Sequence, residues 1–259
     1  MKLALYQMHI IWEDKEANYI QVEQKLKTAY ERGIDLFLLP EMSFTGFSMN
    51  TYVTKENDDR TIKRMITYAK QYHMAIGFGW VKDCGRKSEN HYTIVNKNGE
   101  IISDYAKIHP FSYSGEDEKF QGGTDIVTFQ LDDIIFSNFI CYDLRFPEVF
   151  QIASKKANVI LVPANWPEAR SEHWKCLLKA RAIENQVYVA AVNCVGEING
   201  LHYSGDSCVI DPNGRMLVEL SKAESVLEYE LTDDTREIRA RFPVKRDRRE
   251  GLYNALSEG

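Results

Sequence analysis

Ile134-Ile135-Phe136-Ser137-Asn138-Phe139-Ile140-Cys141-Tyr142-Asp143-Leu144-Arg145-Phe146-Pro147-Glu148 reads as a buried strand that runs through a turn toward a helix. The apolar run Ile134-Ile135-Phe136 leads in, and a helix is expected to start near Phe146. That puts the thiol of Cys141 at a strand-to-helix turn. Free backbone N–H groups and the positive end of a helix dipole favour a thiolate there. The same turn can offer an N–H to the oxyanion of an acyl-transfer intermediate.

Toward the N-terminus, segments 2–8 and 35–39 read as strands. Between them Ala17, Val22, Leu26, Ala29 and Tyr30 give a helical stripe that stops at Gly33. A helix over about 58–72 leads to strand 73–81, and a hairpin pairs 91–96 with 100–105 through Asn98-Gly99. Strands 125–131 and 134–140 join around Asp132-Asp133. Past Cys141 the rhythm repeats: helix 146–156, strand 158–163, helix 171–185, strand 187–194. A late hairpin, 206–210 to 215–220, turns at Asp211-Pro212-Asn213-Gly214, before strand 225–230 and a short helix at 232–241. Interleaved strands and helices with inserted hairpins define an α/β protein with mixed sheets. No Pro/Gly/Ser linker divides it. The expectation is one domain over 1–259 with two similar halves and a C-terminal tail of about 243–259.

Composition excludes several classes. The 259 residues are 44% hydrophobic and 27% charged with net charge −6, which suits a soluble globular protein. The one basic run, Lys245-Arg246-Asp247-Arg248-Arg249, is broken by Asp247 and followed by Glu250, so it reads as solvated surface rather than a nucleic-acid site. No apolar stretch is long enough to span a membrane, and residues 1–8 read as a first buried strand rather than a signal peptide. Five widely spaced cysteines without a CxxC pair suit a reducing cytoplasm. The six histidines show no paired ligand spacing, so neither metal nor cofactor is expected.

Two further residues stand out beside Cys141. In Asp35-Leu36-Phe37-Leu38-Leu39-Pro40-Glu41 a buried strand runs straight into a carboxylate, placed where α/β sheets collect active sites and suited to a general base. Lys107, in Tyr105-Ala106-Lys107-Ile108-His109, follows a hairpin strand; its ammonium can stabilise a thiolate and a tetrahedral oxyanion.

In that order, these three segments resemble the nitrilase superfamily of carbon–nitrogen hydrolases. The resemblance continues through Val162-Pro163-Ala164-Asn165-Trp166, Lys179-Ala180-Arg181-Ala182-Ile183-Glu184-Asn185 and Tyr203-Ser204-Gly205-Asp206-Ser207. It implies an αββα four-layer sandwich with pseudo-two-fold halves that dimerises to αββα-αββα. It also implies Glu41 as general base, Lys107 as electrostatic stabiliser and Cys141 as nucleophile. A second glutamate is implied in the loop after the lysine; Glu116 fits that position better, with Glu118 as the alternative.

Pro40-Glu41-Met42-Ser43-Phe44-Thr45-Gly46, Cys141 to Glu148 and Ala164-Asn165-Trp166-Pro167 further resemble the ω-amidase branch, which hydrolyses the terminal amide of 2-oxo acids such as 2-oxoglutaramate and 2-oxosuccinamate. An anionic substrate calls for a cation, and Arg145 or Arg170 can provide it. Arg145 also stands two residues from Asp143, so a structural Asp–Arg brace is the other reading. Phe47, Phe111, Tyr142 and Trp166 are candidate walls of a small pocket. Alternatives are an amidase or carbamoylase of another linear amide, a non-catalytic scaffold, and a thiol redox sensor. In a homodimer, the tail beyond Pro243 is a candidate to reach the partner.

Overall fold

The structure is a computed structural model that describes residues 1–257. The first half supplies β1 (Lys2–Gln7), β2 (Leu36–Leu38), β3 (Lys55–Glu56), β4 (Ala75–Asp83), β5 (Ser88–Val95) and β6 (Ile101–Ala106). The second supplies β7 (Thr128–Leu131), β8 (Ile134–Asn138), β9 (Val159–Ala164), β10 (Tyr188–Asn193), β11 (Val195–Ile198), β12 (Leu201–Ile210) and β13 (Met216–Ser221). β14 (Ser225–Glu230) then returns to the first sheet.

One sheet has the order β14-β1-β2-β4-β5-β6 with β3 on β4; the other runs β7-β8-β9-β10-β12-β11 with β13 also on β12. Each contains a parallel trio, β1-β2-β4 or β8-β9-β10. An antiparallel strand flanks each trio on both sides. Parallel neighbours need crossovers. Helices Lys15–Glu31 and Arg60–Gln71 supply them in the first half, Pro147–Ala153 and Ser171–Asn185 in the second. The two halves therefore repeat one topology.

Side-chain alternation sets the layers. In β1, Leu3 and Leu5 join the buried cluster of Phe136 and Phe139, while Ala4 and Tyr6 join Val22, Leu26 and Met65 under the first pair of helices. β2 divides the same way, Leu36 and Leu38 from Phe37 and Leu39. A period of two with both faces apolar is what a sheet covered on both sides requires. The second pair of helices packs through Val149, Phe150, Trp174, Leu178 and Ala182. The result is the expected αββα sandwich with mixed sheets.

Three local departures matter. The segment Cys141–Arg145 forms a tight 3₁₀ turn between β8 and the helix at Pro147, so the thiol is not at a helix N-terminus. β12 reaches back to Leu201 and pairs with β11, so the strand expected over 206–210 starts earlier. Its turn is Asn199-Gly200, both with positive φ (47° and 76°), a hairpin signature the sequence carried in plain form. Finally, part of the tail is helical, Glu250–Ser257. It packs on its own chain: Lys245 Nζ donates to the Ser154 carbonyl and Lys155 pairs with Glu250 at 2.7 Å. Among the described residues no helix is long and apolar enough to cross a membrane.

Gly79 shows how closely β4 approaches the segment after β2. A Cβ there would lie 2.3 Å from Met42 N and 2.9 Å from the Glu41 carbonyl carbon. Both are backbone atoms, and Ser43 holds them in place by donating its N–H to Gly79 O at 3.1 Å. Gly79→Ala must therefore displace Glu41. The expected result is a loss of about 1–3 kcal/mol in stability, the usual scale of overpacking, read by denaturant unfolding. A fall in hydrolytic activity of the folded fraction should accompany it.

Candidate active site

Four strand ends deliver the site. Glu41 lies three residues beyond β2, Lys107 directly follows β6, Cys141 lies three beyond β8, and Asn165 directly follows β9. Strand C-termini are where open α/β sheets leave room for ligands. Here they also bring two buried carboxylates onto one ammonium. Lys107 Nζ donates to Glu41 Oε1 at 2.9 Å and to Glu116 Oε2 at 2.8 Å, with all three side chains at most 1% exposed. Asn90, inside β5, donates its amide to Glu41 at 2.8 Å and to Glu116 at 3.2 Å. Asn165 completes the cage: its N–H donates to Glu41 Oε2 at 2.9 Å and its side-chain amide to the Glu41 carbonyl at 2.6 Å.

Glu116 comes from the loop after Lys107, as one of the two alternatives. The loop folds back because the Phe111 N–H donates to Glu116 Oε2 and the Glu116 N–H to the Phe111 carbonyl. Gly115, with φ +76°, provides the reversal. Glu118 is exposed and faces away from this cluster, and Asp117 is exposed too, so the acidity of the loop is spent on solvent and on Lys107.

The charges explain one another. Burial works against the Lys107 ammonium, but Glu116 and then Glu41 outweigh it and hold the group well above the usual lysine range. For Glu116, burial raises the pKa, and Lys107 opposes that. Cys141 is pushed well above the ordinary thiol range, first by burial and next by the negative charge of Glu41; Lys107 and the Asn165 N–H pull the other way without prevailing. That direction runs against the expectation of a favoured thiolate; burial is the larger cause and the Glu41 charge the next.

A cavity of about 470 Å³ opens over the sulfur. Cys141 and Lys107 reach it, as do Phe47, Phe111, Tyr142, Trp166, Arg145 and Arg170, the six residues singled out as candidate walls or anchors. Phe47 also presents its ring to Lys107 Nζ, 5.1 Å from the centroid. Arg145 does not brace Asp143. Its guanidinium lies over Trp166 at 4.7 Å and reaches His173 Nδ1 at 3.3 Å. Arg170 lies over Phe111 at 5.6 Å. Neither arginine has a carboxylate partner among the described residues. Burial and the neighbouring Arg170 lower the pKa of Arg145, the mark of two like charges held at one mouth.

Sequence reasoning missed Asn90, although an asparagine inside a hairpin strand, where its kind is uncommon, was the available signal. It also missed Trp12 and Tyr203 on the cavity wall, which arrive from distant segments with no local mark.

A thiol, an ammonium and a carboxylate converging on a cavity define a site for covalent acyl transfer. The carbon–nitrogen hydrolase family model matches residues 2–240. The chain belongs to that family, the nitrilase superfamily, and is a carbon–nitrogen hydrolase. It is 38% identical over 226 residues to 2-oxoglutaramate amidase of Bacillus subtilis, covering 85% of this chain and 86% of that one. It is 34% identical over 250 residues to omega-amidase YafV of Escherichia coli, covering 95% and 96%. Among solved structures, a CN-hydrolase superfamily protein of Xanthomonas campestris with an arsenic adduct in its active site superposes with TM-score 0.90 at 31% identity, covering 96% of this chain and 97% of that one.

The electrostatics give a signed test. Because the Glu41 carboxylate raises the Cys141 pKa, Glu41→Gln should lower it and leave more thiolate at neutral pH. Iodoacetamide labelling of Cys141, followed by peptide mass spectrometry, should then accelerate, by about threefold for each pH unit the midpoint falls, because the gain in thiolate is partly offset by its lower nucleophilicity. Turnover should collapse in the same variant.

Proposed function

We propose that this chain hydrolyses the terminal amide of small 2-oxo acids, 2-oxoglutaramate and 2-oxosuccinamate, releasing ammonia through a thioester on Cys141. The single observation that carries the substrate class is the pair Arg145 and Arg170 at the mouth of the cavity above Cys141, without an acidic partner among the described residues. Such a mouth favours an anion, and a carboxylate can take guanidinium N–H groups in a bidentate grip. The names of the two relatives described above agree with this choice.

In the proposed path, Glu41 takes the Cys141 proton as the sulfur attacks the amide carbon. Lys107 and the Tyr142 N–H hold the resulting oxyanion. Glu41 passes its proton to the nitrogen, the C–N bond breaks, and ammonia leaves an acyl-thioester. Glu41 then deprotonates a water that attacks the thioester carbon, and the C–S bond breaks to return the 2-oxo dicarboxylate and the thiol. Glu116 keeps Lys107 charged and aimed throughout. Arg145 anchors the substrate carboxylate against Trp166, and Phe47 and Tyr142 wall the acyl chain. No cofactor enters the scheme, and no nucleic acid or membrane is a partner.

We further propose a cytoplasmic homodimer. Phe150 and Leu178 are core, but Ile152 and Ile183 on the same two helices are half exposed and available to a second copy.

Ammonia release from 2-oxoglutaramate, 2-oxosuccinamate, glutamine, N-carbamoyl-β-alanine and a simple nitrile tests the reading. Preferential turnover of the 2-oxo amides, abolished in Cys141→Ala, is the expected outcome; turnover confined to another amide would sink the substrate class. Arg145→Met should raise KM for 2-oxoglutaramate by about 10–100-fold, the worth of one charged hydrogen bond, with a smaller change in kcat. A neutral amide such as propionamide should not feel the substitution.

A further inference from the structure

Asp143 is fully buried two residues after Cys141, and its carboxylate accepts from four donors. Oδ2 takes the Ile140 N–H at 3.0 Å and the Tyr105 hydroxyl at 2.8 Å. Oδ1 takes both the backbone N–H of His109 at 3.0 Å and its Nδ1 at 2.7 Å. Ile140 immediately precedes Cys141, and Tyr105 and His109 stand two residues on either side of Lys107. One carboxylate thus grips the chain just before the thiol and just before and after the ammonium. His109 adds a second hold on the turn, stacking on Phe146 with ring centroids 3.8 Å apart and planes 11° from parallel. Phe146 is where the turn around Cys141 ends.

The turn needs such a hold. Cys141 sits at φ +46°, a left-handed conformation that a residue with a Cβ keeps only when its surroundings impose it. From the far side Arg181 fixes the same turn, donating Nε and Nη2 to the Leu144 carbonyl at 3.1 and 2.8 Å. Arg181 touches nothing near Lys107, whereas Asp143 and His109 touch both partners. We propose that Asp143 and His109 are positioning residues that clamp the nucleophile turn to the strand end carrying Lys107, and so fix the sulfur relative to the ammonium. The proposal rests on Cys141 and Lys107 being the reacting pair.

The chemistry of the clamp is specific. Nδ1 must carry a proton to meet Oδ1, and Asp143 must be a carboxylate to receive four donors. Leucine at 109 fills the space but offers no donor, while asparagine presents an N–H close to the position of Nδ1. Asparagine at 143 would turn an N–H₂ toward groups that are themselves donors.

The experiment compares His109→Leu, His109→Asn and Asp143→Asn with the wild type in two readouts. One is kcat and KM for 2-oxoglutaramate, normalised to folded protein by circular dichroism. The other is the rate of Cys141 alkylation by iodoacetamide against pH, read on the Cys141 peptide because Cys84 and Cys176 are exposed. His109→Leu should lower kcat by about 10–100-fold, the loss that follows a misplacement near 1 Å, with KM little changed. Its alkylation midpoint should move to higher pH, because Lys107 no longer stabilises the thiolate as well. His109→Asn should recover most of both losses. A folded His109→Leu protein with wild-type kcat and alkylation profile overturns the clamp, and so do equal losses in the leucine and asparagine variants. Should Asp143→Asn fail to fold, the His109 pair decides alone. Cys141→Ser runs alongside: if it retains turnover, the assignment of the nucleophile fails, whereas the alkylation profiles test the clamp without reference to any substrate.

Discussion

A single buried lysine organises the centre of this molecule. An ammonium taken out of water is tolerated only with opposite charge beside it, and two carboxylates brought together are tolerated only with a cation between them. Lys107, Glu41 and Glu116 meet both conditions at once, with Asn90 and Asn165 filling the remaining acceptor positions. Because the three charged groups come from the ends of β2 and β6 and from a loop, the cluster also fixes how those segments meet. Removing any member leaves the others buried without compensation, so stability and chemistry at this site are inseparable.

The same cluster acts on the thiol. Burial and, next, the Glu41 carboxylate push the Cys141 pKa up, and that carboxylate is also the group proposed to take the proton. In the proposed path the lysine has two uses at different moments: before attack it balances the glutamates, and after attack it faces the oxyanion. The paired arginines at the mouth extend this logic outward. Burial and the Arg170 charge both work against the Arg145 guanidinium, and the proposed substrate anion would relieve that repulsion.

Legibility in the sequence followed the range of the interactions. Apolar runs such as Leu36-Phe37-Leu38-Leu39, and the helical stripe from Ala17 to Tyr30, are local patterns, and they gave the mixed α/β class; the four-layer order came from the family resemblance. The residues with chemistry of their own, Glu41, Lys107 and Cys141, were visible because each lies within three residues of a strand end. The resemblance favoured Glu116 but left Glu118 open, since both lie in one short acidic stretch and only the fold of the loop turns Glu116 inward. Asn90 was missed, and so were the Tyr105 and His109 partners of Asp143, because those contacts join groups far apart in sequence. The proposed Asp143–Arg145 brace failed because short sequence separation does not make two side chains face each other in a 3₁₀ turn.

The sequence by itself determined the mixed α/β class, the doubled topology and the candidate nucleophile, because backbone periodicity and residue chemistry are properties of contiguous residues. Only the tertiary structure decided that burial and Glu41 push the Cys141 pKa up, that Glu116 rather than Glu118 meets Lys107, and that Asp143 binds His109 and Tyr105. Each of those outcomes depends on burial and on distances between residues from different strands, and electrostatic energies in a dry interior change steeply with both.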